Sequence, residues 1–203
     1  MPKVSESHKE NRREQILEAA GRCFSRKGYM ATSMQEIFRE AGLSAGAVYS
    51  YFKSKQELYL ALMDQNLELD LRRYRAVVEE AAEPWAKLQA LISFYMADFA
   101  DAAQTEFFRL YFMEFLPSSF ATPELAEALR ARMDRLHQLL KQVLQEGVDQ
   151  GAFRTLDCDA VASLILAAGD GVRLHTLAYG SRADATAMYN AFIGNLELAV
   201  TRR

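Results

Sequence analysis

The sequence contains little cysteine, histidine or proline, and it lacks the spacings that mark common catalytic and metal sites. Its 203 residues include two cysteines, three histidines and four prolines. Cys23 and Cys158 lie far apart, and Cys23 stands beside Phe24 in an apolar pattern, so we expect a buried free thiol there. No HExxH, CxxC, GxSxG or phosphate-loop pattern occurs. We therefore predict no enzyme activity, no catalytic residue, no metal site and no cofactor.

Long hydrophobic runs are also missing. The longest apolar run, AVASLILAAG at 160–169, ends at Asp170 and is too short to cross a bilayer. The N-terminal stretch MPKVSESHKENRRE lacks the apolar segment that a secretory signal needs. These two absences predict a cytoplasmic protein that does not enter a membrane.

What the sequence does contain indicates a helical globular protein with an uneven charge distribution. Hydrophobic residues make up 50% of the chain and charged residues 25%, and long stretches are free of both glycine and proline. Residues 1–60 carry ten Lys and Arg against seven Asp and Glu, whereas residues 61–203 carry fourteen against twenty. A basic end on an acidic body favours contact with a polyanion, although chance scatter explains an imbalance of this size equally well.

The N-terminal quarter contains the start and stop signals of several helices. Apolar residues recur with helical spacing from Ile16 to Phe24, which predicts a first helix over about 8–27. Ser33 and Glu36 form an S-x-x-E capping box, which predicts a second helix that starts at Ser33.

The stretch GLSAGAVYSYFKSKQE at 42–57 adds two further helix starts. Gly42 closes the second helix, Ser44 caps a third helix of about two turns, and Ser54 with Glu57 forms another capping box that opens a fourth helix. Two short helices joined by a tight glycine turn behind a longer helix are typical of a helix-turn-helix. A generic pair of antiparallel helices would share this spacing.

The residue types in the short third helix favour DNA over a generic helix pair. A recognition helix brings its N-terminal end to the base edges, and small side chains at Ser44, Ala45 and Gly46 let the backbone approach the groove. The hydroxyl of Tyr49 can reach a phosphate or a base, and its ring can contact a thymine methyl.

The segment from Ile16 to Leu62 resembles the DNA-binding domain of the TetR family of bacterial transcriptional regulators. The family pattern is T-[ST]-x-x-x-I-x-x-x-A-G-[VL]-S-x-G-x-[LV]-Y-x-[YH]-F-x-[SN]-K-x-x-L. Without a gap, it matches at Thr32, Ser33, Ile37, Ala41, Gly42, Leu43, Ser44, Gly46, Val48, Tyr49, Tyr51, Phe52, Ser54, Lys55 and Leu58.

The resemblance implies which residues meet double-stranded DNA. Ser44, Ala45, Gly46, Tyr49, Ser50 and Tyr51 would face the groove, and Thr32, Ser33 and Lys55 would contact phosphates. Many family members place Lys, Arg or Gln where this chain has Ala45, whose side chain cannot hydrogen-bond a base. Base specificity is therefore expected to depend on Tyr49, Ser50, Arg39 and DNA shape.

The rest of the chain also reads as helices. We predict a fourth helix from Ser54 towards Ala82, a fifth over 84–101, a sixth over about 105–116, a seventh from Pro123 towards Gly147 and an eighth over 159–180. The segment Ser181-Arg182-Ala183-Asp184 is expected to cap a ninth helix that runs to the C-terminus. The predicted fold is all-α, with a three-helix helix-turn-helix domain over 1–53 and a six-helix effector-binding and dimerisation domain over 54–203. This count matches the TetR architecture.

Aromatic residues are concentrated between residues 91 and 120, where TetR-like proteins enclose an effector pocket. Plain core explains such a stripe as well as a pocket does. The residues that we assign to a small-molecule effector are Phe99, Phe108, Tyr111, Phe112, Arg109, His137 and Arg173. Aromatic rings with acidic side chains beside them would suit an organic cation. The same rings without acidic neighbours would suit a flat or fatty apolar compound.

Small residues in the last two predicted helices are consistent with a two-fold interface between copies of the chain. They are Ala162, Ala167, Ala168, Gly169, Gly171 and Gly194. Core packing within one subunit would give the same pattern, and the prediction of a homodimer follows mainly from the family resemblance. The sequence thus predicts a repressor that an effector releases from a palindromic operator; the alternative is a ligand-independent regulator whose aromatic body is only core and dimer scaffold.

Overall fold

The structure is a computed structural model that describes residues 6–97, 116–119, 122–180 and 183–201. In these ranges the regular secondary structure is helical, and Phe153 and Thr201 form an isolated antiparallel bridge. The helices are α1 (Glu6–Lys27), α2 (Met34–Ala41), α3 (Ala45–Tyr49), α4 (Lys55–Glu80), α5 (Pro84–Ala97), α6 (Leu116–Ser119), α7 (Pro123–Asp149), α8 (Cys158–Tyr179) and α9 (Ala185–Val200). The predicted all-α fold is confirmed.

The predicted helix boundaries hold to within a few residues where the chain is described. Ser33 and Ser44 are the N-caps of α2 and α3, as predicted, and Asp184, within the predicted capping segment 181–184, is the N-cap of α9. The predicted seventh helix continues two residues past Gly147 to Asp149. The predicted end of the fifth helix at residue 101 lies outside the described residues, and so does the predicted sixth helix over 105–116 except for residue 116.

The chain divides into two compact units. The first contains the described residues up to Glu68 together with those between Gln104 and Leu129, and the second contains those between Leu69 and Ala103 and those from Arg130 onward. The helix α4 therefore contributes residues to both units. The boundary after residue 53 that the sequence suggests stays a prediction.

The first unit has a core that α1, α2, α3 and the start of α4 build together. Its fully buried side chains are Ile16, Leu17, Ala20, Ile37, Val48, Leu58 and Tyr59. Cys23 is a buried free thiol, as expected, and burial raises its pKa. Fully burying a Leu or Ile side chain stabilises a fold by about 1.5–3 kcal/mol, so this core holds the short α3 in place.

In the second unit, α5, α8 and α9 pack against one another. Leu88, Ile92, Ala162 and Ile165 are completely buried. No helix in the described ranges is both long and apolar enough to span a membrane.

Candidate nucleic-acid interface

The turn between α2 and α3 is fixed by contacts that the local sequence dictates. Gly42 adopts φ 66°, in the left-handed region that glycine tolerates best, and its N–H donates to Arg39 O at 3.1 Å. Leu43 N donates to Phe38 O at 3.0 Å, and Gln15 Nε2 of α1 donates to Ala41 O at 2.8 Å. Three of the last four carbonyls of α2, those of Phe38, Arg39 and Ala41, therefore accept a hydrogen bond, and these bonds fix the turn between the two short helices.

The helix α3 presents one anchored side chain to the protein and several small ones to the outside. Val48 is completely buried in the core of the first unit, and Ser44 Oγ accepts from Ala47 N at 3.2 Å. The residues of α3 and its caps that were predicted to face the DNA groove are exposed: Ser44, Ala45, Gly46, Tyr49 and Ser50. A Cβ atom added at Gly46 would meet nothing within 4 Å, so packing within the protein does not require glycine at this position.

Tyr49 and Tyr51 lie in different surroundings. Tyr49 is 42% exposed, and its ring and the ring of Phe38 pack edge to face, with the centroids 5.3 Å apart. This contact orients the ring while the rest of the side chain stays accessible. Tyr51 is half-buried and packs against the core of the first unit.

Thr32 and Lys55 bond within the protein. Thr32 is 2% exposed, and its hydroxyl donates to Gly28 O at 2.7 Å. Lys55 Nζ donates to Tyr29 O at 2.7 Å and to Thr32 O at 2.9 Å. The phosphate contacts assigned to these two residues stay predictions, and the observed bonds give both of them a role in holding the α1–α2 loop.

Ser33 and Glu36 form the predicted capping box at the start of α2. Ser33 N donates to Glu36 Oε2 at 2.9 Å, and Glu36 N donates to Ser33 Oγ at 3.3 Å. Lys27 of α1 also bonds to Glu36, and these contacts, with the Lys27 bond as the largest, lower the pKa of Glu36 to about 2. Ser33 is exposed at the end of the helix where anions are favoured.

The second predicted capping box differs from expectation in one bond. Glu57 N donates to Ser54 Oγ at 3.1 Å, as predicted, but the Glu57 carboxylate accepts from Lys53 N at 2.6 Å. The return bond therefore goes to the residue before Ser54.

Lys53 is a cation near this surface to which the sequence-based reasoning assigned no DNA-binding role. Its side chain is exposed, and Nζ donates to Tyr49 O, at the end of α3, at 3.0 Å. A cation near the last carbonyls of a helix is a recognised C-terminal signal, and the four-residue spacing from Tyr49 was the available clue.

Two of the predicted effector residues lie in the described part of the chain. His137 Nε2 lies 3.0 Å from Asp159 O. Arg173 has a side chain that is 11% exposed; Nη1 donates to Asp170 Oδ1 at 3.2 Å, and the guanidinium carbon lies 4.2 Å from the centroid of the Tyr95 ring. Burial opposes its charge, but Tyr95, Asp170 and Tyr74 together outweigh burial and raise the pKa of Arg173 above its ordinary value. Phe99, Phe108, Arg109, Tyr111 and Phe112 lie outside the described residues.

The helices α8 and α9 carry an exposed apolar stripe. Its members recur at intervals of three and four residues, which places them on one face of each helix. Leu164 and Leu174 are each 65% exposed, and Leu198 is 51% exposed. This α8–α9 stripe consists of Leu164, Ala167, Gly171 and Leu174 on α8 and of Ala187, Ala191, Gly194 and Leu198 on α9.

Not all of the small residues that suggested an interface belong to this stripe. Ala162 is completely buried, and Gly169 is buried against Tyr95. Gly171 and Gly194 are exposed, and a Cβ atom at either would meet nothing within 4 Å. Among the described residues, no group of His, Cys, Asp and Glu has an arrangement that could hold a metal ion.

Two family models match separate parts of the chain. The model of bacterial regulatory proteins of the tetR family matches residues 16–62, and the model of the C-terminal domain of BetI-type transcriptional repressors matches residues 84–196. The helix-turn-helix transcriptional regulator YfiR of Bacillus subtilis is 31% identical over 172 residues, which cover 84% of this chain and 82% of that protein.

Solved structures match nearly the whole chain in fold. A transcriptional regulator from Saccharomonospora viridis in complex with choline has a TM-score of 0.81 at 22% identity, covering 96% of this chain and 100% of that chain. FadR from Bacillus subtilis in complex with stearoyl-CoA has a TM-score of 0.77 at 22% identity, covering 90% and 96%. With a helix-turn-helix whose third helix is anchored by Val48 and exposes Ala45, Gly46 and Tyr49, and with both family models matched, the chain belongs to the TetR family of bacterial transcriptional regulators.

Proposed function

We propose that this regulator is a homodimeric repressor that binds a near-palindromic operator and leaves it when a small-molecule effector binds. The observation that carries the DNA-binding part is the exposed surface of α3, where Ser44, Ala45, Gly46, Tyr49 and Ser50 surround the single buried anchor Val48. The BetI-type repressor model, which matches residues 84–196, supports repression as the outcome.

On DNA, each subunit would lay α3 in a major groove. The small side chains at the start of α3 allow close approach of the backbone, and the ring and hydroxyl of Tyr49 supply the main base or phosphate contact. Ser33, at the start of α2, and the hydroxyl of Ser50 would contact phosphates or base edges beside it. Two such helices related by two-fold symmetry read half-sites about 34–36 Å apart, or a multiple of that distance.

The α8–α9 stripe supports a second copy of this chain as its partner. Exposed leucines lie at the ends of runs of alanine and glycine, and such small residues let helices of two subunits approach closely. A two-fold axis would pair the stripe with itself and form a four-helix interface. Such an interface removes an apolar surface from water, which a monomer would otherwise leave exposed.

The effector would bind in the helical body. Regulators of this fold have been solved with choline and with stearoyl-CoA, so the architecture accommodates both a cation and a fatty acyl compound. The predicted aromatic residues and His137 would line the pocket. Arg173, whose donors bond to Asp170 and the backbone of Tyr95, would shape its wall from α8.

This function requires binding and a change of conformation, and it requires no chemical step. We accordingly propose no catalytic residue and no cofactor for the chain, and we place it with the DNA in the cytoplasm. Coupling between an effector and DNA is typically about 1–3 kcal/mol, which is enough to lower operator affinity by about 5- to 150-fold.

A selection experiment tests the proposal. The wild-type protein is used to select duplexes from a random-sequence library, and the enriched sequence is expected to contain an inverted repeat. Choline and stearoyl-CoA are then titrated into the complex with the selected duplex, and release is followed by fluorescence anisotropy. If no inverted repeat is enriched, the proposal that a homodimer binds a palindromic operator is wrong. If neither compound, nor a wider panel of organic cations and acyl compounds, releases the duplex, the ligand-independent alternative is favoured.

A further inference from the structure

We propose that Lys55 is a positioning residue for DNA binding, and that Lys53 is the cation that contacts phosphate. Lys55 would hold the α1–α2 loop in the shape that presents Ser33 and the start of α2, without touching DNA itself. This inference rests on the proposed DNA-binding function.

The first argument is the set of acceptors around the Lys55 ammonium. Nζ donates to Tyr29 O at 2.7 Å, to Thr32 O at 2.9 Å and to Met30 O at 3.3 Å. An ammonium group has three N–H donors, and three carbonyl oxygens of one loop match that number. A phosphate contact would require Lys55 to give up at least one of these bonds.

The second argument is the aromatic surface beneath the ammonium. Nζ lies 4.4 Å from the centroid of the Tyr29 ring, within the range of a cation–π interaction. Tyr29 in turn packs on the completely buried Tyr59, with centroids 4.4 Å apart, and on Phe24 at 5.6 Å. The ring is thus fixed to the core of the first unit, and it provides a rigid base for the cation.

The third argument is the position of Lys55 in its own helix. It is the first residue of α4, where the helix dipole disfavours a cation. Three carbonyl dipoles and a ring face compensate for this position, since all of them present their negative side to Nζ. The dipole of α4 therefore disfavours the positive charge of Lys55, whereas the loop carbonyls stabilise it.

The loop that Lys55 holds leads directly into α2. Thr32 contributes one of the three carbonyls, and its hydroxyl bonds back to Gly28 O at 2.7 Å. The next residue, Ser33, is the exposed N-cap of α2. Lys55 thereby fixes the start of α2 to the start of α4, and losing it would displace the groups proposed to meet phosphate.

Lys53 provides the contrast, two residues away. Its side chain is exposed, and its ammonium group donates to Tyr49 O at 3.0 Å, at the end of the recognition helix. Moving this ammonium onto a phosphate would give up a single surface bond. We therefore assign the direct phosphate contact to Lys53.

The salt dependence of binding separates the two roles. Each phosphate contact contributes about 0.9 to the slope of log K against log salt, counted once for each bound subunit. Binding of the duplex selected by the wild-type protein is measured over a range of salt concentrations for Lys55→Met, Lys55→Arg and Lys53→Met. Amide hydrogen exchange of residues 28–33 in the free protein, together with thermal melting, reports the state of the loop and of the fold.

We expect Lys55→Met to lose at least about tenfold in affinity with an unchanged salt slope and with faster exchange in the loop. Lys55→Arg, which keeps the charge and the donors, should restore slow exchange and most of the affinity. Lys53→Met should lower the slope by about 0.9 per subunit and leave loop exchange unchanged.

The inference is overturned if Lys55→Met lowers the salt slope by about 0.9 per subunit while the loop exchanges as in the wild type, because Lys55 is then the phosphate ligand. It is also overturned if Lys55→Met melts and binds as the wild type does. Failure of the wild-type protein to select any duplex is a different result, since it rejects the proposed function and not the division of roles between the two lysines.

Discussion

Gly169 of α8 lies directly against the ring of Tyr95 in α5: a Cβ atom added at Gly169 would lie 2.4 Å from Tyr95 Cε1. The ring is held from two sides, because its hydroxyl donates to Asp170 Oδ1 at 2.9 Å and the Arg173 guanidinium lies over its face. Glycine inside a helix costs about 0.5–1 kcal/mol relative to alanine. The close approach of the two helices explains why glycine is present despite this cost.

We expect Gly169→Ala to lower the free energy of unfolding by about 1–3 kcal/mol, since the added methyl group must displace a fixed ring. Chemical denaturation measures the change. Gly21→Ala in α1 is the matched control, because its Cβ would meet Leu62 at an ordinary 3.7 Å, and it should be neutral or stabilising. Equal stability of Gly169→Ala and the wild type would mean that Tyr95 is free to move.

Gly171 of α8, two residues after Gly169, should tolerate a larger side chain within one subunit but not in the proposed dimer. A Cβ atom at Gly171 meets nothing within 4 Å in one subunit, so Gly171→Leu should leave the helical content unchanged. In the proposed dimer the same side chain would hold α8 and its partner apart. We expect the dimer dissociation constant to rise by about 5- to 150-fold, as overpacking of about 1–3 kcal/mol implies.

Analytical ultracentrifugation over a range of protein concentrations measures this dissociation constant. Gln89→Leu, which adds the same side chain on the exposed face of α5, serves as the control and should leave the constant unchanged. A Gly171→Leu protein that dimerises as tightly as the wild type would show that the α8–α9 stripe is not the interface.

The parts of this molecule that could be predicted from the sequence are those that local chemistry determines. Ser33, Ser44 and Gly42 each bond within five residues along the chain, and the helix starts and stops follow from such bonds.

Contacts between distant residues could not be predicted. Lys55 and the loop carbonyls that it binds are 23 to 26 residues apart, and Arg173 contacts the backbone of Tyr95 across 78 residues. The residue types alone fit phosphate or effector contacts equally well, because a lysine or arginine donates to a backbone carbonyl as readily as to an anion. Only the packing of the helices selects between these partners.

The ion pairs between α1 and α2 predict an acid sensitivity of the first unit. The bond to Lys27, together with the bonds to Ser33, lowers the pKa of Glu36 from its ordinary 4.5 to about 2. Because the pKa of Glu36 is lower in the folded state than in the unfolded state, its charge stabilises the fold at pH values above about 4.5. This contribution is lost as the pH falls from about 4.5 towards 2. Glu36→Gln should therefore be less stable than the wild type near neutral pH, and the difference should shrink with acidification.

Urea denaturation at a series of pH values tests this expectation. Some acid sensitivity should remain in Glu36→Gln, because Arg26 and Arg22 also lower the pKa of Glu40. A stability difference that stays constant from neutral pH to about pH 3 would show that the Glu36 charge makes no contribution and that only its capping bonds matter.

Tyr49 offers the most direct test of the recognition surface. Val48 and the Ser44 cap hold α3 in place, so Tyr49→Ala should fold and dimerise while losing about 1–3 kcal/mol of operator binding, or about 5- to 150-fold in affinity. Tyr49→Phe retains the edge contact with Phe38 and removes only the hydroxyl. If the phenylalanine variant binds as the wild type does, the ring makes the contact, whereas an equal loss in both variants assigns the contact to the hydroxyl. Normal operator binding by Tyr49→Ala, measured with the selected duplex by fluorescence anisotropy, would show that α3 does not read DNA through this residue.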